Sequence, residues 1–327
     1  MGAKHDVSQA DTPITLVLFP GALGDCICFL PALHALCARS PREPVVLVAP
    51  AVVLPLLVRG GLADEGLPIE SARVARLFVA GADLRDLVDD RRVGDVYAWL
   101  GAGEPVVREN LARLAGGVAR CAHVMPSEGH SGHVARHFVD VLAAADASVP
   151  WPPAHTRVPL SPAERALARR FWDEHGLGGR RVLAVHRGAG NVAKRWSDDG
   201  YRAVATWWRG KGGKIVELAG PADAYDALEQ ADAVVRDRPL VEVAALLARA
   251  DLMLGGDSGV THLAGAAGLR GVVLFGPTRP RRWRPLGGRV VCLKSCVPSA
   301  GAHPIPLEGI SVDRVVRALR CVTMDGR

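Results

Sequence analysis

Short continuous apolar runs rich in β-branched residues alternate along this chain with longer segments in which apolar positions recur every three or four residues. Ile14–Phe19 is the first such run. Unbroken apolarity of this kind belongs to a strand covered on both faces, as in the middle of a parallel sheet. The turn Pro20–Asp25 leads into a helix over Cys26–Ala38. Val45–Ala49 predicts the second strand, Val74–Ala80 the third and Val96–Leu100 the fourth. Helices are expected over Leu84–Asp90 and Glu104–Ala115, and over His133–Ala145 at the end of this half. The alternation then starts again. Strands are expected at Arg181–His186, Lys214–Leu218, Leu252–Leu254, Val272–Phe275 and Arg289–Leu293. Helices are expected at Pro162–His175, Asp198–Arg209, Ala222–Gln230, Val241–Ala250, Val260–Ala267 and Ser311–Arg320. Strands that alternate with helices make βαβ units and a parallel sheet. Between the two alternations, residues 148–162 hold five prolines in fifteen positions. Such a segment is neither a helix nor an inner strand. It reads as a linker between domains over residues 1–150 and 151–327, and two doubly wound α/β domains are expected to bind ligand at the carboxyl ends of their strands.

Composition narrows the picture. A chain of 327 residues that is 49% apolar and 23% charged is globular rather than disordered. The formal charge of +6 is uneven: residues 1–150 carry 13 basic and 17 acidic side chains, and residues 151–327 carry 27 and 17. A basic second half suits a polyanionic ligand, although 35 arginines against five lysines also fits solvated faces. Seven cysteines without a regular framework fit a reducing, cytoplasmic compartment. The first residues are polar, with no apolar signal core. The longest apolar run, Val45–Val58, has 14 residues and two prolines. A span needs about 20 residues, so this run reads as a strand feeding a helix and no membrane crossing is expected.

Four segments carry candidate chemistry, each following a predicted strand. Phe19–Asp25 is a glycine-containing turn that aims backbone N–H groups and a helix start at the ligand end of the sheet, with Asp25 at that start. Asp is also a favoured N-cap and needs no catalytic role there. Gly21 and Gly24 are three apart with no third glycine, so the dinucleotide fingerprint does not match. The turn at His186–Gly190 is followed by Lys194 and Arg195, two cations suited to a diphosphate, and by Trp196, a packing anchor for the next helix. Gly255–Ala264 runs from strand through a glycine-rich turn into a helix. Amides at Ser258 and Gly259 have the local geometry that holds phosphate oxygens, with His262 on the first turn. Asp257 there would orient His262, accept a ribose hydroxyl or cap the helix. Leu274–Pro285 holds four arginines in six residues, suited to phosphate of donor or acceptor. One aromatic without a sheet platform argues against nucleic acid.

The chain has no Asp-x-Asp pair, no phosphate-binding G-x-x-x-x-G-K-[ST] loop and no G-x-S-x-G turn. His130, His133 and His137 are spaced for one helix face, but with Asp140 as the one carboxylate nearby on that face they read as an acceptor-facing or surface helix rather than a metal site. No cofactor is expected.

The order and spacing of the four motifs, over roughly residues 14–320, resemble glycosyltransferase family 9, the ADP-heptose:lipopolysaccharide heptosyltransferases. Its most specific piece is Asp257-Ser258-Gly259-x-x-His262-Leu263-Ala264 followed by Leu274-Phe275-Gly276-Pro277-Thr278. The resemblance implies a GT-B fold: two Rossmann-like domains with parallel sheets facing a central cleft, acceptor on the N-terminal one and nucleotide sugar on the C-terminal one. It implies an inverting, metal-independent transfer of a sugar, heptose first among the candidates, from a donor such as ADP-heptose to a glycan or lipid-linked acceptor such as lipopolysaccharide core. Asp25 would be the general base and Lys194 would neutralise the leaving diphosphate. His186, Asp223, Asp257, Ser258, Gly259 and His262 would hold the donor, with Asp223 on a ribose hydroxyl. Gly24, Arg120 and Arg136 would face the acceptor. Peripheral contact with the inner membrane fits a lipid-linked acceptor, though no amphipathic anchor stands out. Other readings on the same architecture are a sugar-nucleotide epimerase, transfer to a capsule or natural-product acceptor, and a degenerate nucleotide-binding module. The family often has His-Pro-Gly-Ala where this chain has His186-Arg187-Gly188-Ala189, and the added cation is expected to bear on donor preference.

Overall fold

The computed structural model describes residues 12–39, 43–143, 156–220, 223, 226–296 and 307–324. The first eight residues of the expected linker, 148–155, lie outside them, as do the ends of the helices expected at His133–Ala145 and Ala222–Gln230. The chain divides into two compact units. The first comprises residues 1–22, 29–130 and 134–155; the second comprises 23–28, 131–133 and 156–327.

In the first unit, β1 (Ile14–Leu18), β2 (Val45–Ala49), β3 (Glu65–Pro68), β4 (Val93–Ala98) and β5 (Ala119–Cys121) form one sheet in the order β3-β2-β1-β4-β5. Every strand pair is parallel. β1 and β2 are buried along their whole length, as their unbroken apolar runs require. Helix α1 (Leu23–Arg39) follows β1 directly, and α2 (Leu54–Leu57), α3 (Ala72–Ala75), α4 (Pro105–Leu114) and α5 (Val134–Ala143) supply the rest. Phe19 stacks on Phe29 with ring centroids 4.2 Å apart, and Trp99 and Phe138 close edge-on around them. These rings bury large apolar area at one end of the sheet.

Two expectations fail here. Val74–Ala80 is not a strand: Ser71 caps α3 by accepting from Val74 N, and a 3-10 turn over Arg76–Phe78 follows. The buried residues, Val74 and Leu77, are three apart, a helical spacing, while Phe78 and Val79 are exposed. The sheet's edge strand is β3 instead, with the sequence Glu-Gly-Leu-Pro and no apolar run to announce it. His130 and His133 precede α5, so they do not share a helix face with His137.

Among the described residues the second unit has six parallel strands: β6 (Val182–His186), β7 (Lys214–Ala219), β8 (Ala233–Arg236), β9 (Leu252–Gly256), β10 (Arg270–Phe275) and β11 (Val290–Lys294). Their order is β11-β10-β9-β6-β7-β8. Read from β8, that is the doubly wound order 3-2-1-4-5-6, whose switch point lies between β6 and β9. The helices are α6 (Pro162–Glu174), α7 (Asp198–Arg209), α8 (Leu240–Leu247), α9 (Gly259–Ala266), α10 (Pro280–Trp283) and α11 (Val312–Met324). The core joins Leu183, Leu252, Leu254 and Leu274 of the sheet to Val204 and Trp208 of α7 and to Val315 and Leu319 of α11. Residues 226–230 are not helical. Their backbone is committed elsewhere: Leu228 N–H donates to Glu217 Oε2 at 2.6 Å, and Asp226 C=O accepts from Arg187.

Candidate active site

The turns after β6 and β9 flank the switch point of the second sheet. After β9 the chain runs through Gly256 and Asp257 into α9. Ser258 is the N-cap, in a capping box with Thr261: Thr261 N–H donates to Ser258 Oγ and Ser258 N–H to Thr261 Oγ1. The Ser258 amide is therefore engaged, a correction to its expected role as an open phosphate donor. The Gly259 and Val260 amides at the helix start take no part in the box.

Asp257 is released from capping and becomes the hub of a charged cluster. Its Oδ2 accepts from Lys194 Nζ at 2.8 Å and from Thr278 Oγ1 at 2.7 Å. His262 Nε2 lies 3.7 Å from its Oδ1. Burial opposes ionisation of Asp257, but His262, Lys194 and Thr278 outweigh it and hold the carboxyl down at about 2. Burial likewise opposes charge on His262, and Cys28 and Asp257 outweigh it and lift the imidazole to about 10. One buried carboxylate thus faces both a lysine and a histidine at the mouth of α9. In the sequence Thr278 stands out only as the last residue of the Leu274–Thr278 motif, which carries no sign of this contact.

The start of α1 belongs to this same unit. Gly24 packs on α9: a Cβ there would stand 3.3 Å from His262 Cδ2 and 3.6 Å from Gly259 Cα. Gly259 in turn has no room for a side chain, since a Cβ would meet Leu23 Cβ at 2.9 Å. Asp25 is the third residue of α1, partly exposed and inside the first turn. There the helix dipole favours a carboxylate, and the N-cap explanation does not hold. Gly24, expected on the acceptor side, lies against His262. Cys28 Sγ lies 3.5 Å from His262 Nδ1, a contact that a cysteine in an apolar helix does not advertise.

The turn after β6 is braced from beneath. Arg187 is buried, with Nε 2.7 Å from Glu217 Oε1 and Nη1 2.7 Å from Asp198 Oδ1. It is a structural tie between β6, β7 and α7, so the expected link between this cation and donor preference falls away. His186 is buried at the end of β6, with Nδ1 3.0 Å from Leu218 C=O, and burial lowers its pKa. Asp223 Oδ2 accepts from Gly220 N–H at 2.7 Å, directly under Gly188, where a Cβ would come within 2.2 Å of it. Trp196 is the expected anchor: its Nε1 donates to Ile310 C=O at 3.0 Å.

Other candidates have partners of their own. Arg120 is in β5, and Arg136 in α5 pairs with Asp140 at 2.6 Å. His133 Nε2 lies 2.8 Å from Arg284 C=O, and His137 Nε2 lies 2.7 Å from His123 C=O. Among the described residues no group of three or more His, Cys, Asp or Glu is placed to hold a metal ion. No helix among them is long and apolar enough to cross a membrane. Four arginines, 279, 281, 282 and 284, lie in and around the short helix α10.

Comparison with solved structures identifies the fold. The fold matches that of a glycosyl transferase family 9 protein from Veillonella parvula with a TM-score of 0.79, at 19% identity over 97% of this chain and 99% of that one. It matches E. coli ADP-heptose lps heptosyltransferase II at 0.74, with 20% identity over 95% and 99%. E. coli heptosyltransferase WaaC with ADP matches at 0.68, with 16% identity over 94% and 98%. The fold is of the GT-B type, two doubly wound α/β units with parallel sheets. Residues 115–302 match the family model of glycosyltransferase family 9 (heptosyltransferase), and the chain belongs to that family. Among curated relatives, lipopolysaccharide heptosyltransferase 3 of Escherichia coli is 26% identical over 181 residues, 52% of this chain and 51% of that protein. The match to a relative from Haemophilus influenzae is 30% identical over 113 residues, 31% of this chain and 33% of that protein. The chain thus spans between a third and about half of the length of these curated relatives.

Proposed function

We propose that this protein is an inverting, metal-independent glycosyltransferase that moves heptose from ADP-heptose to a hydroxyl of a glycan or lipid-linked acceptor. The observation that carries the reading is the pair of cationic groups at α9, Lys194 and His262, both facing Asp257. A diphosphate leaving group would balance that charge, and the Gly259 and Val260 amides at the helix start would bind its oxygens. The ADP named with a family neighbour agrees with such a site. His186 and Asp223 line the adjoining turn and would take the nucleoside, with Asp223 on a ribose hydroxyl.

Asp25, one residue after the glycine that touches His262, would remove the acceptor proton. The freed hydroxyl oxygen then attacks the anomeric carbon while the bond to ADP breaks, and the configuration inverts. Lys194 and His262 take up the negative charge that appears on the departing diphosphate, which leaves no electrostatic task for a divalent ion. Arg120 and Arg136 would contact the acceptor. Asp25→Asn should keep ADP affinity and lower transfer at least about 10³-fold, since the chemical step loses its base. Calorimetry with ADP and a transfer assay with ADP-heptose and deep-rough lipopolysaccharide check both halves. Near-full turnover by Asp25→Asn would remove Asp25 from the chemistry. A peripheral membrane site for the acceptor predicts that the protein floats with acceptor-bearing vesicles.

A further inference from the structure

α1 reaches the donor cradle through two residues one helical turn apart. Gly24 and Cys28 share a face of the helix, and both meet the same imidazole. Gly24 leaves room for the His262 Cδ2 edge, and Cys28 Sγ stands 3.5 Å from Nδ1. The ring is 3% exposed and Cys28 is 1% exposed. A buried ring nitrogen with no partner is costly, so the Nδ1 contact matters for where the ring can sit. With Nε2 facing the Asp257 carboxylate and Nδ1 facing sulfur, each polar atom of the imidazole is assigned to a different element. Rotation of the ring would break both contacts. The chain Cys28–His262–Asp257–Lys194 therefore runs from α1, through α9, to the turn that follows β6.

We propose that Cys28 is a positioning residue of the donor site: its thiol fixes the imidazole of His262 so that Nε2 stays on Asp257 and its charge stays at the start of α9. This rests on the proposed donor site, and it deepens that reading by adding a residue that touches no substrate. The thiol is too buried to act as a nucleophile. Its sulfur accepts from the Nδ1–H of the charged ring, a bond that serine can imitate and alanine or valine cannot. The groups facing the ring are Cys28 from α1, Asp257 from the β9–α9 turn and, through Asp257, Lys194 and Thr278.

The test compares Cys28→Ser, Cys28→Ala and Cys28→Val, with thermal unfolding as the control for folding. Three readouts are followed: the ring ¹⁵N shifts of His262 as pH is varied, ADP affinity by calorimetry, and KM and kcat for ADP-heptose. Alanine and valine should shift the His262 titration to lower pH and weaken ADP about tenfold, the size of one hydrogen bond to a charged group. Serine should stay within about threefold of the parent, by the same measure. KM for ADP-heptose should rise more than kcat falls. Unchanged His262 ¹⁵N shifts in Cys28→Ala overturn the proposal, and so does a serine variant as impaired as alanine. If valine unfolds the protein, the serine and alanine pair decides. Failure of the parent to bind ADP at all would instead count against the donor assignment, since the ¹⁵N measurement needs no ligand.

Discussion

Arg187 is a residue whose sequence context suggested one role and whose surroundings assign another. A cation beside a candidate phosphate turn invites a ligand, yet its guanidinium is 4% exposed and lies 2.7 Å from a carboxylate that is wholly buried. A buried ion pair contributes little net stability, but removing one partner strands the other. Arg187→Met should therefore destabilise the fold by about 3–5 kcal/mol, measured by urea unfolding. Replacing Arg187 and Glu217 together with apolar residues should recover much of that loss. Asp257 shows the same logic in a second buried cluster. Its identity as part of a site was legible, because Asp-Ser-Gly-x-x-His is a specific pattern. Its partners were not, because Lys194 and Thr278 arrive from 63 residues before and 21 residues after.

At the scale of elements, boundaries followed local chemistry where local chemistry decided them. Asp198–Arg209 and Val45–Ala49 fall where the periodicity puts them, one with a serine cap and the other with four β-branched or leucine residues. β3 and the non-helical segment at 226–230 were illegible for a different reason. Edge pairing and a buried side chain, rather than propensity, determine them. α7 offers a test of packing against propensity. Gly200→Ala would ordinarily favour a helix by about 0.5–1 kcal/mol. Here the new Cβ would fall 2.6 Å from Trp196 Cζ2, and Trp196 is pinned through Nε1 to Ile310. The variant should lose about 1–3 kcal/mol in denaturant unfolding, because the indole cannot retreat.

The whole molecule should reveal its site through pH. His262, Lys194 and Thr278 hold the folded Asp257 carboxyl down from the ordinary 3.8 to about 2. A depressed carboxyl stabilises the fold above the unfolded value, and that contribution, about 2 kcal/mol, disappears as pH falls from about 4 to 2. His262 acts in the opposite sense: raised to about 10, it contributes fully below about 6.5 and its share is lost as pH climbs through 10. Asp257→Asn should flatten the acid limb of a stability curve between pH 4 and 2, and an unchanged slope would remove this carboxyl from the account. The division of the chain has a practical corollary. Residues 23–28 and 131–133 are counted with the later unit although they are synthesised with the earlier one. A polypeptide started at Thr156 would possess every motif of the proposed donor site and still be incomplete. It would lack Leu23 over Gly259, the sulfur beside His262 and the imidazole on the Arg284 carbonyl. Severing the gene at the proline-rich stretch therefore yields pieces that do not match the units the contacts define, and reconstitution would have to return the opening turns of α1 along with the remainder.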